Sequence, residues 1–241
     1  MAVQPMSAET PCVRLATCAF RVADWTWPLA EEKADDIARD WQRRRATTPE
    51  FFNGAVYLMR HHAIDGDVLS GTFFKTDFAT FLYWREQSSP ATQIVREGLG
   101  ASIIRSAEGY VLLGRQAPDQ LNSGRVYPPS GVIDDGDVRD GMIDIDANIR
   151  RELSEETGLD GVSVQRQPGY IVALLGRQIA IGVEWRSALP AVVLRERMLA
   201  FTRAQSEPEL DDIVIVRTQA DIDESTMPRH ARVLLRALLP A

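Results

Sequence analysis

The chain has 241 residues, which is enough for one large domain or two small domains with a proper hydrophobic core. Its formal net charge of −7 argues against a broad nucleic-acid-binding surface, because such surfaces carry a basic face. No apolar window approaches the roughly 18 residues of a membrane-spanning helix, and the first residues, MAVQPMSAET, have no signal-peptide pattern. We therefore expect a cytoplasmic protein that binds neither nucleic acid nor membrane.

Residues 1–90 carry the signals of a mixed α+β unit. The predicted elements are, in chain order, a strand (CVRLATCAFRV), a helix (EEKADDIARDWQRRRATTP), two strands (GAVYLMRHH and DVLSGTFF) and a short helix (DFATFLYWRE). The dipeptide Asp65-Gly66 between the two neighbouring strands indicates a hairpin. The segment EQSSPATQ, from Glu86 to Gln93, is typical of a linker. We therefore predict two domains, residues 1–90 and residues 91–241.

Residues 91–241 alternate between strand and helix patterns. Two strands are predicted in SIIRSAEGYVLLGR, followed by a loop (YPPSGVIDDGDVRDG) and a helix (DIDANIRRELSEETGL). The remaining predicted elements are strands at YIVALLG, QIAIGVEW and DIVIV, and helices at VVLRERMLAFTRA and PRHARVLLRALL. Pro228 is suited to open the last helix. This alternation predicts an α/β or α+β sandwich.

The helix that contains RRELSEETGL carries three glutamates close to its apolar stripe. At about 100° per residue, the stripe is formed by Ile145, Ile149 and Leu153. Glu152 and Glu156 border or enter this stripe, and Glu155 lies near its edge. Carboxylates that are half turned toward a core repel one another and are costly to desolvate. A hard divalent cation such as Mg²⁺ would resolve this conflict, and a solvated acidic face is the open alternative.

The run RELSEETGL resembles the second half of the Nudix box, Gly-x5-Glu-x7-Arg-Glu-U-x-Glu-Glu-x-Gly-U, in which U is aliphatic. All seven specified positions of that half match, at Arg151, Glu152, Leu153, Glu155, Glu156, Gly158 and Leu159. The resemblance implies a Nudix α/β/α sandwich, here with an N-terminal mixed α+β domain. It also implies Mg²⁺-dependent hydrolysis, with Mn²⁺ as an alternative ion, of a nucleoside diphosphate linked to another moiety.

The first half of the box departs from the pattern. PPSGVIDDGD resembles the Pro-Gly-Gly loop that precedes the helix, with Gly131 as the first glycine of the box. Asp137 stands where the pattern has Glu, and thirteen residues rather than seven separate it from Arg151. The departure leaves open whether Asp137 braces the loop against Arg151.

The resemblance assigns roles to individual positions. It implies metal ligation by Glu152, Glu155 and Glu156, together with the backbone carbonyl of Gly131. It further implies that Arg151 orients Glu152 through a salt bridge.

A further acid and the phosphate-binding cations are expected outside the box. The Nudix fold often adds a carboxylate from a later loop, and SEPELDDIVIV offers Glu207 and Glu209, of which Glu209 is favoured. The general base would then be Glu152 or Glu209. Arg115 and Arg177 are predicted to bind the phosphates, with exposed strand-end arginines as the alternative.

The amino-terminal part resembles, in order and spacing of its motifs, the mammalian Nudix hydrolases of UDP-glucose and UDP-galactose. The segments that carry this resemblance are DIARDWQRRRATTPEFFNGAVYLM, FKTDFATFLYWRE and REGLGAS. It implies that a UDP-sugar is split into UMP and a sugar 1-phosphate. Residues with chemistry suited to a uracil pocket are Phe52, Asn53, Thr76, Asp77 and Phe78. The alternative is that the two phenylalanines belong to the core and that Asn53-Gly54 is only a turn.

Three functions therefore stay open. The first is hydrolysis of a nucleotide-sugar, with residues 1–90 serving substrate selection or formation of a homodimer. The second is the same chemistry on ADP-ribose, an ADP-sugar, a dinucleotide or coenzyme A. The third is a non-catalytic binding or regulatory module with a Nudix-like fold.

Overall fold

The computed structural model describes residues 12–87 and 95–241, which form two β-sheets and six α-helices. The helices are α1 (Pro28–Glu32), α2 (Ala34–Thr47), α3 (Phe78–Glu86), α4 (Ile145–Thr157), α5 (Ala191–Ala204) and α6 (Arg229–Leu238). The strands are β1 (Cys12–Leu15), β2 (Thr17–Val22), β3 (Ala55–Asp65), β4 (Val68–Asp77), β5 (Glu97–Arg105), β6 (Val111–Gln116), β7 (Val126–Tyr127), β8 (Val138–Arg139), β9 (Met142–Ile143), β10 (Gln165–Arg166), β11 (Tyr170–Leu174), β12 (Gln178–Arg186) and β13 (Leu210–Val216). Within these ranges no helix combines the length and apolar character needed to cross a bilayer.

The larger sheet is covered by helices on both faces. Its strand order is β1-β11-β12-β5-β6-β13, with β10 beside β12 and β7 beside β6, and only β5 and β12 run parallel. Side chains alternate along β5, so Leu99 and Ile103 pack in one core with Leu234 of α6. Ile104 packs in a second core with Ile149 of α4. The predicted α/β/α sandwich is confirmed.

The smaller sheet has the order β3-β4-β2-β9-β8. The predicted hairpin at Asp65-Gly66 joins β3 to β4, and Gly66 adopts a φ of 58° that suits glycine in the turn. Helix α3 packs against this sheet through a cluster that includes Trp27, Phe74 and Phe81. These aromatic residues form a separate core cluster, whereas Phe20, Tyr57 and Phe73 pack in the same core as α4.

The single strand predicted for CVRLATCAFRV is wrong, because the chain bends at Ala16 and passes from the larger sheet to the smaller one. The N–H groups of Ala16 and Thr17 both donate to the carbonyl oxygen of Asp67, at 2.8 and 3.2 Å. Strand β1 then pairs with β11, and β2 pairs with β4. Each sheet thus contains strands from both sides of the predicted division at residue 90. The division itself stays a prediction, and residues 88–93 of the predicted linker lie outside the described residues.

The segment YPPSGVIDDGDVRDG contains more structure than the predicted loop. Residues Asp135–Asp137 form a 3-10 turn, and β8 and β9 form a hairpin that pairs with β2. The hairpin spans six residues, 138–143, which is the length by which this loop exceeds the Nudix pattern. The inserted residues therefore attach the loop before α4 to the smaller sheet.

Helix α4 lies directly on β5. The Oγ of Ser102 donates to the carbonyl oxygen of Ile149 at 3.0 Å. A Cβ at Gly100 would stand 2.5 Å from both the Oδ1 of Asn148 and the Cγ1 of Ile149, so only glycine permits this approach.

We predict that Gly100→Ala lowers the free energy of unfolding by about 1–3 kcal/mol, because the added methyl group must push α4 away from β5. The matched control is Gly161→Ala, where an added Cβ meets no atom within 4 Å, and its expected effect is within about 0.5 kcal/mol. Urea unfolding of both variants provides the measurement. Equal stabilities of the two variants would contradict the close contact.

Candidate active site

Helix α4 is fixed at both of its ends by the residues that its sequence supplies. The Oδ1 of Asp144 accepts a hydrogen bond from the N–H of Ala147 at 2.9 Å and caps the first turn. Gly158 ends the helix in the left-handed conformation, at a φ of 67°, which glycine adopts readily. The buried side chains of Ile149 and Leu153 face the core. The helix therefore holds its acidic residues in a defined orientation.

Two of the three glutamates of α4 are turned inward, as the helical periodicity predicted. Glu152 is 8% exposed and Glu156 is 2% exposed, whereas Glu155 is exposed. The carboxylate of Glu152 lies against Gly131, where an added Cβ would stand only 2.1 Å from its Oε1. Gly131 is therefore required for the Glu152 carboxylate to occupy this position.

Glu156 is the more deeply buried of the two inward-facing glutamates. Its Oε1 accepts a hydrogen bond from the N–H of Ser130 at 2.8 Å, and its Oε2 has no hydrogen-bond partner. Burial, and then the negative charges of Glu152 and Glu209, hold the pKa of Glu156 well above its ordinary value. A buried carboxylate with one unpartnered oxygen is stabilised when a proton or a cation lies at that oxygen.

Glu152 forms a salt bridge with its neighbour Arg151, whose Nη1 lies 2.7 Å from Oε1. Burial raises the pKa of Glu152 to about 7, although Arg151 opposes the shift, and the charges of Glu209 and Glu155 add to it. The contact that the resemblance implied between Arg151 and Glu152 is therefore present.

Asp137 braces the loop against Arg151 in spite of its short side chain. Its Oδ2 lies 3.2 Å from the Nη2 of Arg151, and it accepts hydrogen bonds from the Nδ2 of Asn148 at 2.9 Å and the N–H of Asp134 at 3.1 Å. Asp137 is only 1% exposed. The 3-10 turn brings the shorter side chain close enough to make the contact that the sequence left open.

Glu209 interacts electrostatically with the glutamates of α4. The residue is exposed, and desolvation of its carboxylate and then the charge of Glu155 raise its pKa. Its carbonyl oxygen accepts from the N–H of Ala117 at 2.8 Å, which ties the loop to the end of β6. Its charge also raises the pKa values of Glu152 and Glu156. Of the two acids of this loop, Glu209 is thus the one coupled to the site.

The acids offer oxygen ligands that suit a hard divalent cation. The unpartnered Oε2 of Glu156 and the Glu152 carboxylate beside Gly131 are such ligands. Within residues 12–87 and 95–241, however, no group of three or more His, Cys, Asp or Glu side chains stands ready to hold one ion. The Oε2 of Glu155 instead lies 3.3 Å from the Nη1 of Arg151. Ligation by Glu155 would exchange this contact for the ion.

A cavity of about 470 Å³ opens beside Ser130 and Gly131, between α3, α6 and residues 121–132. Among the residues predicted from the sequence, Gly131 and Phe78 line it. Sequence reasoning missed its basic and polar lining, which includes Arg85, Asn122, Arg125, Tyr127, Arg229, His230 and Arg232. The run Pro228-Arg229-His230 at a helix start was the local signal that could have indicated part of this lining.

The two arginines predicted to bind phosphate lie outside this cavity. The Nε of Arg115 lies 2.6 Å from the Oδ1 of Asp211. Arg177 donates to the carbonyl oxygens of Trp84 and Gln87, and its guanidinium stacks 4.2 Å from the centroid of the Trp84 ring. Both guanidinium groups are thus engaged by protein groups, and their role as phosphate ligands stays a prediction.

Most residues of the predicted uracil pocket also lie away from the cavity. Phe52 is 83% exposed, and Thr76 lies opposite Val56 in the β3–β4 ladder. Asn53 and Asp77 accept hydrogen bonds from the N–H groups of Ala79 (2.7 Å) and Thr80 (2.9 Å), so both cap α3. Phe78 alone of the five predicted residues lines the cavity.

Comparisons with known proteins give similarity to solved structures only. No protein-family model matches the chain, and no curated protein matches it. A Nudix hydrolase from M. smegmatis, RenU, is 16% identical with a TM-score of 0.39, covering 59% of this chain and 83% of its own. A protein from Deinococcus radiodurans is 14% identical with a TM-score of 0.44, covering 76% and 98%. A bifunctional NMN adenylyltransferase/ADP ribose pyrophosphatase from Francisella tularensis is 12% identical with a TM-score of 0.38, covering 66% and 43%.

We predict that Asp137→Ala lowers the free energy of unfolding by roughly 2–4 kcal/mol, because three donors lose a buried acceptor. The control is Asp135→Ala in the same turn, whose exposed carboxylate pairs with Lys75, and whose expected cost is at most about 1 kcal/mol. Chemical denaturation of both variants measures the difference. A smaller loss for Asp137→Ala than for Asp135→Ala would show that the brace is unimportant.

Proposed function

We propose that this protein is a divalent-metal-dependent pyrophosphohydrolase of the Nudix type, which cleaves a nucleoside diphosphate linked to another moiety. The observation that carries the proposal is the buried Glu156, whose second carboxylate oxygen is unpartnered beside Glu152 and Glu209. The site borders a cavity lined by arginines, which suits a substrate that carries phosphates.

The metal would be held by the buried carboxylates of α4, whose burial is unfavourable in the absence of a cation. Glu152 and Glu156 are the inward-facing ligands, and the resemblance to the Nudix box adds Glu155 and the carbonyl oxygen of Gly131. Mg²⁺, or Mn²⁺ in its place, prefers such oxygen ligands. When bound, the ion supplies neutralisation of phosphate oxygens and a lowered pKa for a coordinated water.

The protein's own residues position the reacting groups and accept a proton. Glu152 or Glu209 accepts the proton of the water that attacks phosphorus. Arg151 fixes the Glu152 carboxylate at 2.7 Å, and Asp137 holds Arg151 in turn. The side chain of a general base is thereby held in one orientation, which is what proton transfer requires.

The substrate that we propose is a UDP-sugar, which would give UMP and a sugar 1-phosphate. The support is the resemblance of three segments between residues 36 and 102 to Nudix hydrolases of UDP-sugars, and the presence of Phe78 as an apolar face in the cavity. A cytoplasmic location and a homodimer stay predictions.

A substrate panel tests the proposal directly. UDP-glucose, UDP-galactose, ADP-ribose, an ADP-sugar, a dinucleotide and coenzyme A are incubated with the protein and Mg²⁺, and phosphate is measured after a phosphatase step. The proposal predicts turnover, with the UDP-sugars hydrolysed fastest. A preference for adenine compounds would overturn the UDP-sugar assignment and leave the reaction type intact.

We predict that Glu156→Gln lowers turnover by at least about 100-fold while substrate binding largely persists, because the amide cannot supply the buried negative charge. The matched control is Glu207→Gln, in an exposed residue of the loop that carries Glu209, which should leave turnover unchanged. Steady-state assays and calorimetric titration with nucleotide measure the two quantities. Unchanged turnover in Glu156→Gln would remove Glu156 from the site, whereas binding without turnover in the unmodified protein would indicate a non-catalytic module.

A further inference from the structure

The cavity beside Ser130 and Gly131 has an excess of positive charge. Arg85, Arg125 and Arg229 line it, and none of them forms an ion pair with another described residue. The Nη2 of Arg85 donates to the Oδ1 of Asn122 at 2.9 Å, and the Nη1 of Arg125 donates to the carbonyl oxygen of Ser225 at 3.0 Å. Both guanidinium groups keep further N–H donors for a ligand.

The carboxylates that line the same cavity already contact other side chains of the protein. Glu224 pairs with Arg232 at 2.9 Å and also with Arg236. The Oε2 of Glu97 accepts a hydrogen bond from the Nε2 of Gln178 at 2.9 Å. The amide of Gln178 leaves the charge of Glu97 in place, but four arginines and only two glutamates line the cavity, so its lining keeps a net positive charge.

His230 adds an unused hydrogen-bonding group. The residue is only 8% exposed, lines the cavity and packs edge-on against Tyr127 with ring centroids 5.7 Å apart, and its Nε2 has no hydrogen-bond partner. A buried polar atom without a partner is costly unless a ligand or water satisfies it. Burial, and then the charge of Arg85, lower the pKa of His230 to about 4, so the ring is neutral at neutral pH. A neutral imidazole can still donate one N–H to an anion.

The cavity adjoins the glutamates of α4. Ser130 and Gly131 line it. The N–H of Ser130 donates to the Oε1 of Glu156 at 2.8 Å, and Gly131 lies against the carboxylate of Glu152. A substrate whose diphosphate lies at these glutamates would therefore extend into the arginine-lined space.

We propose that this cavity binds an anionic group, a carboxylate or a phosphate, on the part of the substrate that lies beyond the pyrophosphate. Arg85 and Arg125 face its charge, and the Nε2 of His230 donates a hydrogen bond to it. The inference rests on the proposed function for the diphosphate itself. It narrows the substrate to a nucleoside diphosphate derivative with an additional acid, such as a UDP-uronic acid, in preference to a neutral hexose.

The test is equilibrium binding in EDTA, where no divalent ion is present and no turnover occurs. Two pairs of ligands each differ in one anionic group, namely UDP-glucuronic acid with UDP-glucose, and coenzyme A with 3′-dephospho-coenzyme A. Isothermal titration calorimetry should find the member with the additional anionic group bound at least about tenfold more tightly in one of the pairs, as expected for charge-assisted hydrogen bonds. A preference in the first pair indicates a carboxylate, and one in the second pair indicates a phosphate.

The double variant Arg85→Gln/Arg125→Gln should reduce this preference to within about twofold, because both neutral side chains keep their size but lose their charge. Both residues are exposed, so the variant is expected to fold. The affinity of the double variant for the member that lacks the additional anionic group should be unchanged. The control is the double variant Arg45→Gln/Arg139→Gln, which changes the net charge by the same two units at exposed positions outside the cavity.

A preference that survives in the double variant would overturn the proposal. Equal affinities within both pairs, or no binding of any ligand at millimolar concentration, would overturn it as well. Because these titrations involve no hydrolysis, failure of the proposed function is seen separately, as absence of turnover with Mg²⁺ in the substrate panel.

Discussion

The burial of the Glu156 carboxylate is the constraint on which the site depends. One oxygen is held by the Ser130 N–H, while the other lacks a partner, and Glu152 brings a second charge close by. A buried anion that lacks a compensating positive charge destabilises a fold by on the order of several kcal/mol. The caps of α4 and its close contact with β5 hold the carboxylates in place against their mutual repulsion. A site that holds carboxylates close together in this way is suited to bind a cation.

The periodicity of a single helix was sufficient to predict the centre of this site. The positions of Glu152 and Glu156 relative to the apolar stripe follow from local geometry alone, and so does the end of the helix at Gly158. The hairpin at Asp65-Gly66 follows equally from turn chemistry. By contrast, the bend at Ala16 depends on the distant carbonyl group of Asp67, and the hairpin β8–β9 depends on pairing with β2. Pairings of this kind leave no periodic signal in the segment itself.

The cationic groups around the site also differ in whether the local sequence or only the tertiary structure reveals their surroundings. Arg115 and Arg177 follow apolar strand patterns in the sequence. In the structure Asp211 engages the first, and carbonyl groups at the end of α3 engage the second. The arginines that line the cavity come from α3, from the segment before β7 and from α6. Only the tertiary structure brings these three segments together, so a reading along the chain could not identify them as one surface.

We propose that the buried carboxylates of α4 bind a divalent cation. Electron paramagnetic resonance of Mn²⁺ measures this uptake directly, because free and protein-bound Mn²⁺ give different signals. We expect Mn²⁺ binding to the unmodified protein, competition by Mg²⁺, and loss of binding in the double variant Glu152→Gln/Glu156→Gln. An unmodified protein that takes up no Mn²⁺, with or without a nucleotide diphosphate present, would contradict this proposal.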